Sequence, residues 1–231
     1  MCLHNMNYLV ATTKSWNINN FNKLKSLDKE NNWFLIIDKN DLVFEKIKKI
    51  NPRYIFFPHW SWIIPKNIFV GFECVVFHMT DLPYGRGGSP LQNLIVRGHK
   101  NTKISAIKVA EGMDTGDIYM KEDIALEGAA QNIFQRCSAI IFNKMIPNIV
   151  KNNQKPKSQS GEAVEFKRRK PEDGEISNLV DLEKVYDYIR MLDAEGYPNA
   201  FLEKNNLRLE FSRAKLTGGK LEAKVKIILN K

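Results

Sequence analysis

The sequence predicts an α/β fold: a doubly wound, mostly parallel sheet followed by a small C-terminal β-rich appendage. Three observations predict it. Over the first 150 residues, short apolar runs of strand length alternate with amphipathic helical stretches, the pattern of βαβ units. Near the end the pattern becomes strict alternation, in Leu207-Arg208-Leu209-Glu210-Phe211 and Leu221-Glu222-Ala223-Lys224-Val225-Lys226-Ile227, split by Gly218-Gly219; this is how antiparallel strands read. Between the two regimes, Lys151 to Gly161 is polar and rich in breakers, a boundary that divides the chain into 1–155 and 156–231.

Taken in order, Asn7 to Thr13 reads as a first strand, and a stretch carrying Phe21, Leu24 and Leu27 as a helix. Trp33-Phe34-Leu35-Ile36-Ile37 reads as a buried strand, and Asp41 as the N-cap of a helix bearing Leu42, Phe44, Ile47 and Ile50. Tyr54-Ile55-Phe56-Phe57 is the third strand and Cys74-Val75-Val76-Phe77 the fourth. Ser89-Pro90 reads as N-cap and first residue of a helix with Leu91, Leu94 and Ile95 inward. Lys103 to Val109 and Asp117 to Met120 read as strands. A long helix follows from Ala129 to Val150, its stripe of Ile133, Cys137, Ile141 and Met145 reading as core. Asp181 caps a further helix with Leu182, Val185, Ile189 and Leu192 at helical spacing.

The net charge is +9, which raises a nucleic-acid partner, but it is spread evenly. Residues 1–150 carry 18 Lys/Arg against 13 Asp/Glu, and the rest 17 against 13; only Lys167-Arg168-Arg169-Lys170 is dense. Cys2, Cys74 and Cys137 lie far apart, with neither metal-like nor disulfide-like spacing, as in a reduced, cytoplasmic protein. No apolar run approaches the ~18 residues of a membrane span. No Gly-x-Gly-x-x-Gly appears, against a dinucleotide site. His4 and His99 take no role.

Candidate chemistry gathers in two stretches. Phe77-His78-Met79-Thr80-Asp81-Leu82-Pro83-Tyr84-Gly85-Arg86-Gly87-Gly88-Ser89-Pro90 puts a histidine at a strand's carboxyl end, where ligands bind in open α/β sheets. Its glycines would let the backbone approach a bulky ligand. The second is Glu111-Gly112-Met113-Asp114-Thr115-Gly116-Asp117. Each has a plainer reading: His78 as a core histidine, Asp114 as an aspartate bonding its own turn. A third stretch, Pro58-His59-Trp60-Ser61-Trp62-Ile63-Ile64-Pro65, follows the third strand. Its tryptophans wall a flat aromatic ligand or simply pack on the core.

In order and spacing, the first two stretches resemble the 10-formyltetrahydrofolate-dependent formyltransferases. Those enzymes carry a His-x-Ser-Leu-Leu-Pro-like loop with Arg-Gly, then Gly-x-Asp-Thr-Gly-Asp. Ile189-Arg190 and Gly196-Tyr197-Pro198-Asn199-Ala200-Phe201 are also similar, so the resemblance spans about Leu9 to Ala214. It implies a formyltransferase fold, Rossmann-like, with 10-formyltetrahydrofolate as co-substrate and no metal. It makes His78 the group for oxyanion stabilisation and proton transfer, oriented by Asp114. Trp60, Ser61, Trp62, Ile63, Arg86, Gly112 and Met113 become cofactor contacts, and Tyr84, Gly85 and Gly87 substrate contacts. Where the family has a hydrogen-bonding asparagine two residues before the histidine, this chain has Val76; His59, Ser61 or Thr80 would have to substitute, His59 first.

The loop sequence is most similar to sugar N-formyltransferases of the pseudaminic-acid-type subgroup, and the C-terminal part looks too short for the β-barrel of the methionyl-tRNA enzymes. The expected substrate is therefore a small molecule, an amino sugar linked to a nucleotide, without membrane or nucleic-acid partner, and with the C-terminal strands available to pair two subunits. Two alternatives remain: formylation of methionyl-tRNA, favoured by the charge, and a catalytically silent folate-binding or carrier-binding module.

Overall fold

The computed structural model describes residues 5–229, so Cys2 and His4 lie outside it. In chain order the first elements are β1 (Asn7–Ala11), α1 (Ser15–Leu27), β2 (Asn32–Ile36), α2 (Phe44–Ile50), β3 (Tyr54–Phe57), α3 (Lys66–Gly71), β4 (Cys74–His78) and β5 (Tyr84–Gly87). Next come α4 (Pro90–Val96), β6 (Asn101–Lys108), β7 (Ile118–Ala125), α5 (Ala130–Ile140) and α6 (Ile146–Asn152), the last two joined by a π-helical turn over Ile141–Met145. The chain ends in β8 (Val164–Phe166), α7 (Leu182–Leu192), β9 (Ala200–Lys204), β10 (Leu207–Thr217) and β11 (Lys220–Leu229). Two compact units result. One holds the chain through Arg86, Lys103–Ile124 and Gln135–Val164; the other holds Gly87–Thr102, Ala125–Phe134 and the chain from Glu165 onward.

The first unit is built on a six-stranded sheet in the order β2-β1-β3-β4-β6-β7. β1 pairs parallel with β2 and β3, and β3 with β4, while β4 and β6 run antiparallel. One face packs Leu9, Ile55, Phe57 and Cys74 against Ile47 of α2 and Ile68 of α3. The other carries an aromatic series: Tyr8 and Trp33 rings lie 4.9 Å apart, Trp33 and Phe56 6.3 Å, Phe56 and Phe77 6.3 Å. Both faces are covered, as a parallel sheet requires, and the doubly wound reading holds. The stripe Ile133, Cys137, Ile141 and Met145 is buried.

Two local expectations fail in the first unit. Trp33 to Ile37 is not a buried strand: β2 is the sheet edge, buried only at Trp33 and Ile36, with Phe34 and Ile37 exposed. Asp41 does not cap α2, whose first turn follows Val43 without a side-chain cap. Its carboxylate accepts from Lys46 Nζ at 2.7 Å, and Asp38 caps the short 3-10 turn before it.

In the second unit, α7 is capped by Asp181, which accepts from Glu183 N–H at 2.9 Å. β9, β10 and β11 form an antiparallel sheet in the order β11-β10-β9, and Gly218 and Gly219 both take positive φ, the backbone of a two-residue hairpin turn. The buried Arg190 donates to the carbonyls of Leu126 (2.6 Å) and Gly128 (3.0 Å) and to Asp187 (2.6 Å). Pro90 does start α4, but Ser89 does not cap it: at φ +51° its hydroxyl accepts from Arg169 N–H at 3.1 Å. Among the described residues no helix is long and apolar enough to cross a membrane.

Candidate active site

Alternation along β4 puts Val76 and His78 on one face, where Val76 packs with Trp60 against the apolar cluster over α2 and α3. An isopropyl group there donates nothing. His78 is 8% exposed, and both its ring nitrogens face oxygen. Nε2 lies 2.7 Å from Gly85 O and Nδ1 3.4 Å from Asp114 Oδ2. A carbonyl only accepts, so Nε2 carries a proton; only the doubly protonated ring donates to both oxygens. The pair thus sets Nδ1 beside a carboxylate, where a proton can be held between the two.

The turn bearing Asp114 is tightly built. Asp114 sits at φ +55° and Gly112 at +92°, and Thr115 Oγ1 donates to Glu111 O at 2.8 Å. A Cβ on Gly116 would stand 1.7 Å from Lys108 O, so this position excludes any side chain. Lys108 N–H donates to Asp117 O at 2.8 Å, fastening the turn's exit to β6. Asp117 therefore serves the turn through its backbone.

The loop after β4 closes on itself. Thr80 Oγ1 donates to Gly85 O at 3.3 Å, beside His78, and Ser105 Oγ donates to Thr80 O at 2.7 Å. Thr80, expected as a substitute donor, directs its hydroxyl at the loop's own backbone. Gly85 presents its carbonyl to His78, and Tyr84 is half-buried beside it. The expectation that glycines here admit a ligand is corrected at Gly87 and Gly88. A Cβ on Gly87 would lie 2.4 Å from Phe166 O, and one on Gly88 2.5 Å from Arg168 Cβ. The close approach is made by the chain's own segment 166–168, with Gly88 N–H donating to Phe166 O at 3.1 Å.

After β3, His59 takes φ +52° and sets its imidazole edge-on to Trp16, ring centroids 5.7 Å apart. Burial, with the Lys14 ammonium adding, pushes it down to about 4, so it is neutral at neutral pH. Trp60 and Trp62 meet edge to face at 5.0 Å, and Trp60 also packs on Phe57. Trp60 Nε1 is buried without a hydrogen-bond partner, an orphaned donor of the kind a ligand satisfies. Ser61 and Trp62 are exposed, Ile63 is 94% exposed and Met113 69%. An ion pair between Lys66 and Glu111 links the start of α3 to the Asp114 turn.

Sequence reasoning missed Gln159. It lies within the polar stretch 151–161, which is not slack: Lys157 and Ile118 exchange backbone hydrogen bonds of 2.7 and 2.9 Å. Gln159 Nε2 donates to both Asp114 O and Gly116 O at 2.8 Å. Its Oε1 accepts from Arg86 Nε (3.2 Å) and Nη2 (2.7 Å). Arg86, expected on the cofactor, thus directs part of its guanidinium at Gln159. Nothing in a Lys/Ser/Gln-rich segment signals such a role.

Comparison with known proteins gives the arrangement its relatives. The profile of the family described as formyl transferase matches residues 29–136. That of the methionyl-tRNA formyltransferase C-terminal domain matches residues 171–228. The methionyl-tRNA formyltransferase of Rickettsia felis is 31% identical over 176 residues, 73% of this chain and 57% of that protein. The chain thus spans a little over half the length of that relative. A solved structure described as methionyl-tRNA formyltransferase from Clostridium thermocellum is 61% identical with a TM-score of 0.96, covering 97% of this chain and 100% of the other. A 4-N formyltransferase from Francisella tularensis covers 87% of this chain and 94% of its own at TM-score 0.70, but at 17% identity it shares the fold alone.

These findings overturn the expected amino-sugar substrate, the sugar-subgroup resemblance and the exclusion of a nucleic-acid partner. The high-identity relative and the C-terminal profile both point to the methionyl-tRNA enzymes. Length misled: the C-terminal segment looked too short for that domain, yet residues 171–228 match its profile. The His78–Asp114 pair, its glycine-dependent turn, and a relative 61% identical along its whole length together mean that the chain belongs to the formyl transferase family, whose members transfer a formyl group from 10-formyltetrahydrofolate.

Proposed function

We propose that this protein moves a formyl group from 10-formyltetrahydrofolate to the α-amine of methionyl-tRNA, in the cytoplasm. The observation that carries the reading is the 61% identity, over 97% of this chain, to the structure described as a methionyl-tRNA formyltransferase. The exposed cations Lys167, Arg168 and Lys170 suit a phosphate-rich partner.

The co-substrate supplies an activated formyl carbon on a nitrogen that must leave. Trp60 and Trp62 offer it an aromatic wall, with the unpaired Trp60 Nε1 as a donor and the exposed Ile63 and Met113 as apolar contacts. As the amine attacks, one C–N bond forms, the carbonyl electron pair moves to oxygen, and the C–N10 bond then breaks. The amine releases one proton and the leaving nitrogen takes one, so the proton count closes. His78 is the group that can hold that proton, on the Nδ1 that faces Asp114, and the positive charge so placed favours the developing oxyanion. Asp114 holds the charged ring in place. General acid–base help of this kind contributes about 10²–10⁴-fold. With Val76 silent, Trp60 Nε1 is a donor that the neighbouring loop offers.

The test is direct. Purified protein is given 10-formyltetrahydrofolate with methionyl-tRNA or with uncharged tRNA, and formyl-methionine is measured after deacylation. Formyl-methionine from the charged tRNA is the expected result; none at micromolar enzyme would sink the proposal.

A further inference from the structure

We propose that Gln159 is a positioning residue of the formyl transfer reaction, acting through Asp114; this rests on the function proposed above. The geometry is specific. One amide group donates twice, to the carbonyls on either side of Thr115, and accepts twice from one guanidinium, all within 3.2 Å. The turn it grips holds Asp114 at φ +55°, a conformation that costs a non-glycine residue about 1 kcal/mol or more and persists only when the surroundings enforce it. The Asp114 carboxylate is the acceptor that faces His78 Nδ1.

Gln159 touches neither His78 nor the Asp114 carboxylate in these contacts, so its effect is on where that carboxylate points. The segment carrying it is anchored in turn by the Lys157–Ile118 backbone pair. A glutamine suits the place because only a side-chain amide offers two donors and an acceptor at once. Glutamate keeps the acceptor for Arg86 but turns a carboxylate oxygen toward two carbonyls, so Gln159→Glu breaks the grip on the turn at nearly constant volume.

The experiment is a double-mutant cycle with methionyl-tRNA as substrate: wild type, Gln159→Glu, Asp114→Asn and both together, with Gln159→Ala as a second single variant. Gln159→Glu is expected to lower kcat about 10- to 100-fold, the range for a misplacement near 1 Å, with KM for the folate nearly unchanged. In the Asp114→Asn background the same change should cost less than about threefold, because the two act as a unit. Equal losses in both backgrounds, or wild-type kcat in both Gln159 variants, would overturn the proposal. If the wild type does not formylate methionyl-tRNA, the function is wrong and the ring ¹⁵N signals of His78 decide the positioning role without substrate. Gln159→Ala should then move the Nδ1 signal in the same direction as Asp114→Asn, and an unmoved signal would overturn it.

Discussion

Gly116→Ala is the sharpest perturbation of the site, because it adds one methyl group at a place where its neighbour is fixed backbone. The Cβ would stand 1.7 Å from Lys108 O and 2.9 Å from the carbonyl carbon. An ordinary contact of about 3.5 Å requires the turn to move by roughly 1.8 Å. Lys108 cannot yield, since its N–H is bonded to Asp117 O and its strand is paired with β4 at Val75. The turn must therefore leave, carrying Asp114 away from His78 and both carbonyls away from Gln159. Overpacking of this kind costs about 1–3 kcal/mol, or roughly 2–12 °C in Tm for a chain of this size. The displacement itself should cost kcat about 100-fold or more. The assay pairs thermal unfolding with formylation of methionyl-tRNA. Gly98→Ala is the control: φ is +80° there but nothing lies within 4 Å, so only backbone strain is added, and Tm should fall while kcat holds. A Gly116→Ala variant with wild-type kcat and Tm would refute the reasoning.

Three further outcomes are expected. Asp114→Asn keeps a residue that tolerates the left-handed turn and removes only the charge facing His78 at 3.4 Å; weakening a contact to a charged group, worth about 1.5–3 kcal/mol, should lower kcat roughly 10- to 150-fold in single-turnover measurements. His59 is held down at about 4 from an ordinary 6.5, so the unfolded chain binds its proton first. Stability from this residue is complete above pH 6.5 and falls as pH drops toward 4, by up to about 3 kcal/mol; urea unfolding of His59→Asn should show a correspondingly shallower loss over that window. Replacing Lys167, Arg168 and Lys170 together by alanine should weaken methionyl-tRNA binding and flatten its dependence on log salt by up to about 3 in slope; an unchanged slope would remove this run from the nucleic-acid surface.

What the sequence disclosed depended on how local the cause was. β3 was legible as an apolar run of strand length, and the β10–β11 hairpin because alternation and a glycine pair act over neighbouring residues. His78 and Asp114 were legible because both sit in motifs with their own turn chemistry. The edge position of β2 was not, since an apolar run looks alike at a sheet's centre and its rim, and only strand order tells them apart. Asp41 and Ser89 failed as caps for a related reason: a lysine five residues on and a backbone N–H eighty residues away claimed their oxygens. Gln159 was invisible because polar composition reads as linker, whereas its four hydrogen bonds reach residues 43 to 73 positions distant. The substrate class was misread from the size of the C-terminal part, a quantity that does not report what a surface binds.

The two compact units are each assembled from three separate stretches of chain, and this has a consequence during synthesis. After Arg86 leaves the ribosome, the strands β6 and β7 and the stretch through Val164 that complete the first sheet are still to come. At about 5–20 residues per second they arrive roughly 4–16 s later. Through that interval the apolar faces of β1, β3 and β4 lack their full cover, and Gln159, which grips the turn beside His78, is among the last residues of that first unit to appear. A nascent chain of this protein therefore presents a half-built sheet to chaperones for seconds and gains its reactive geometry late, nearly all at once.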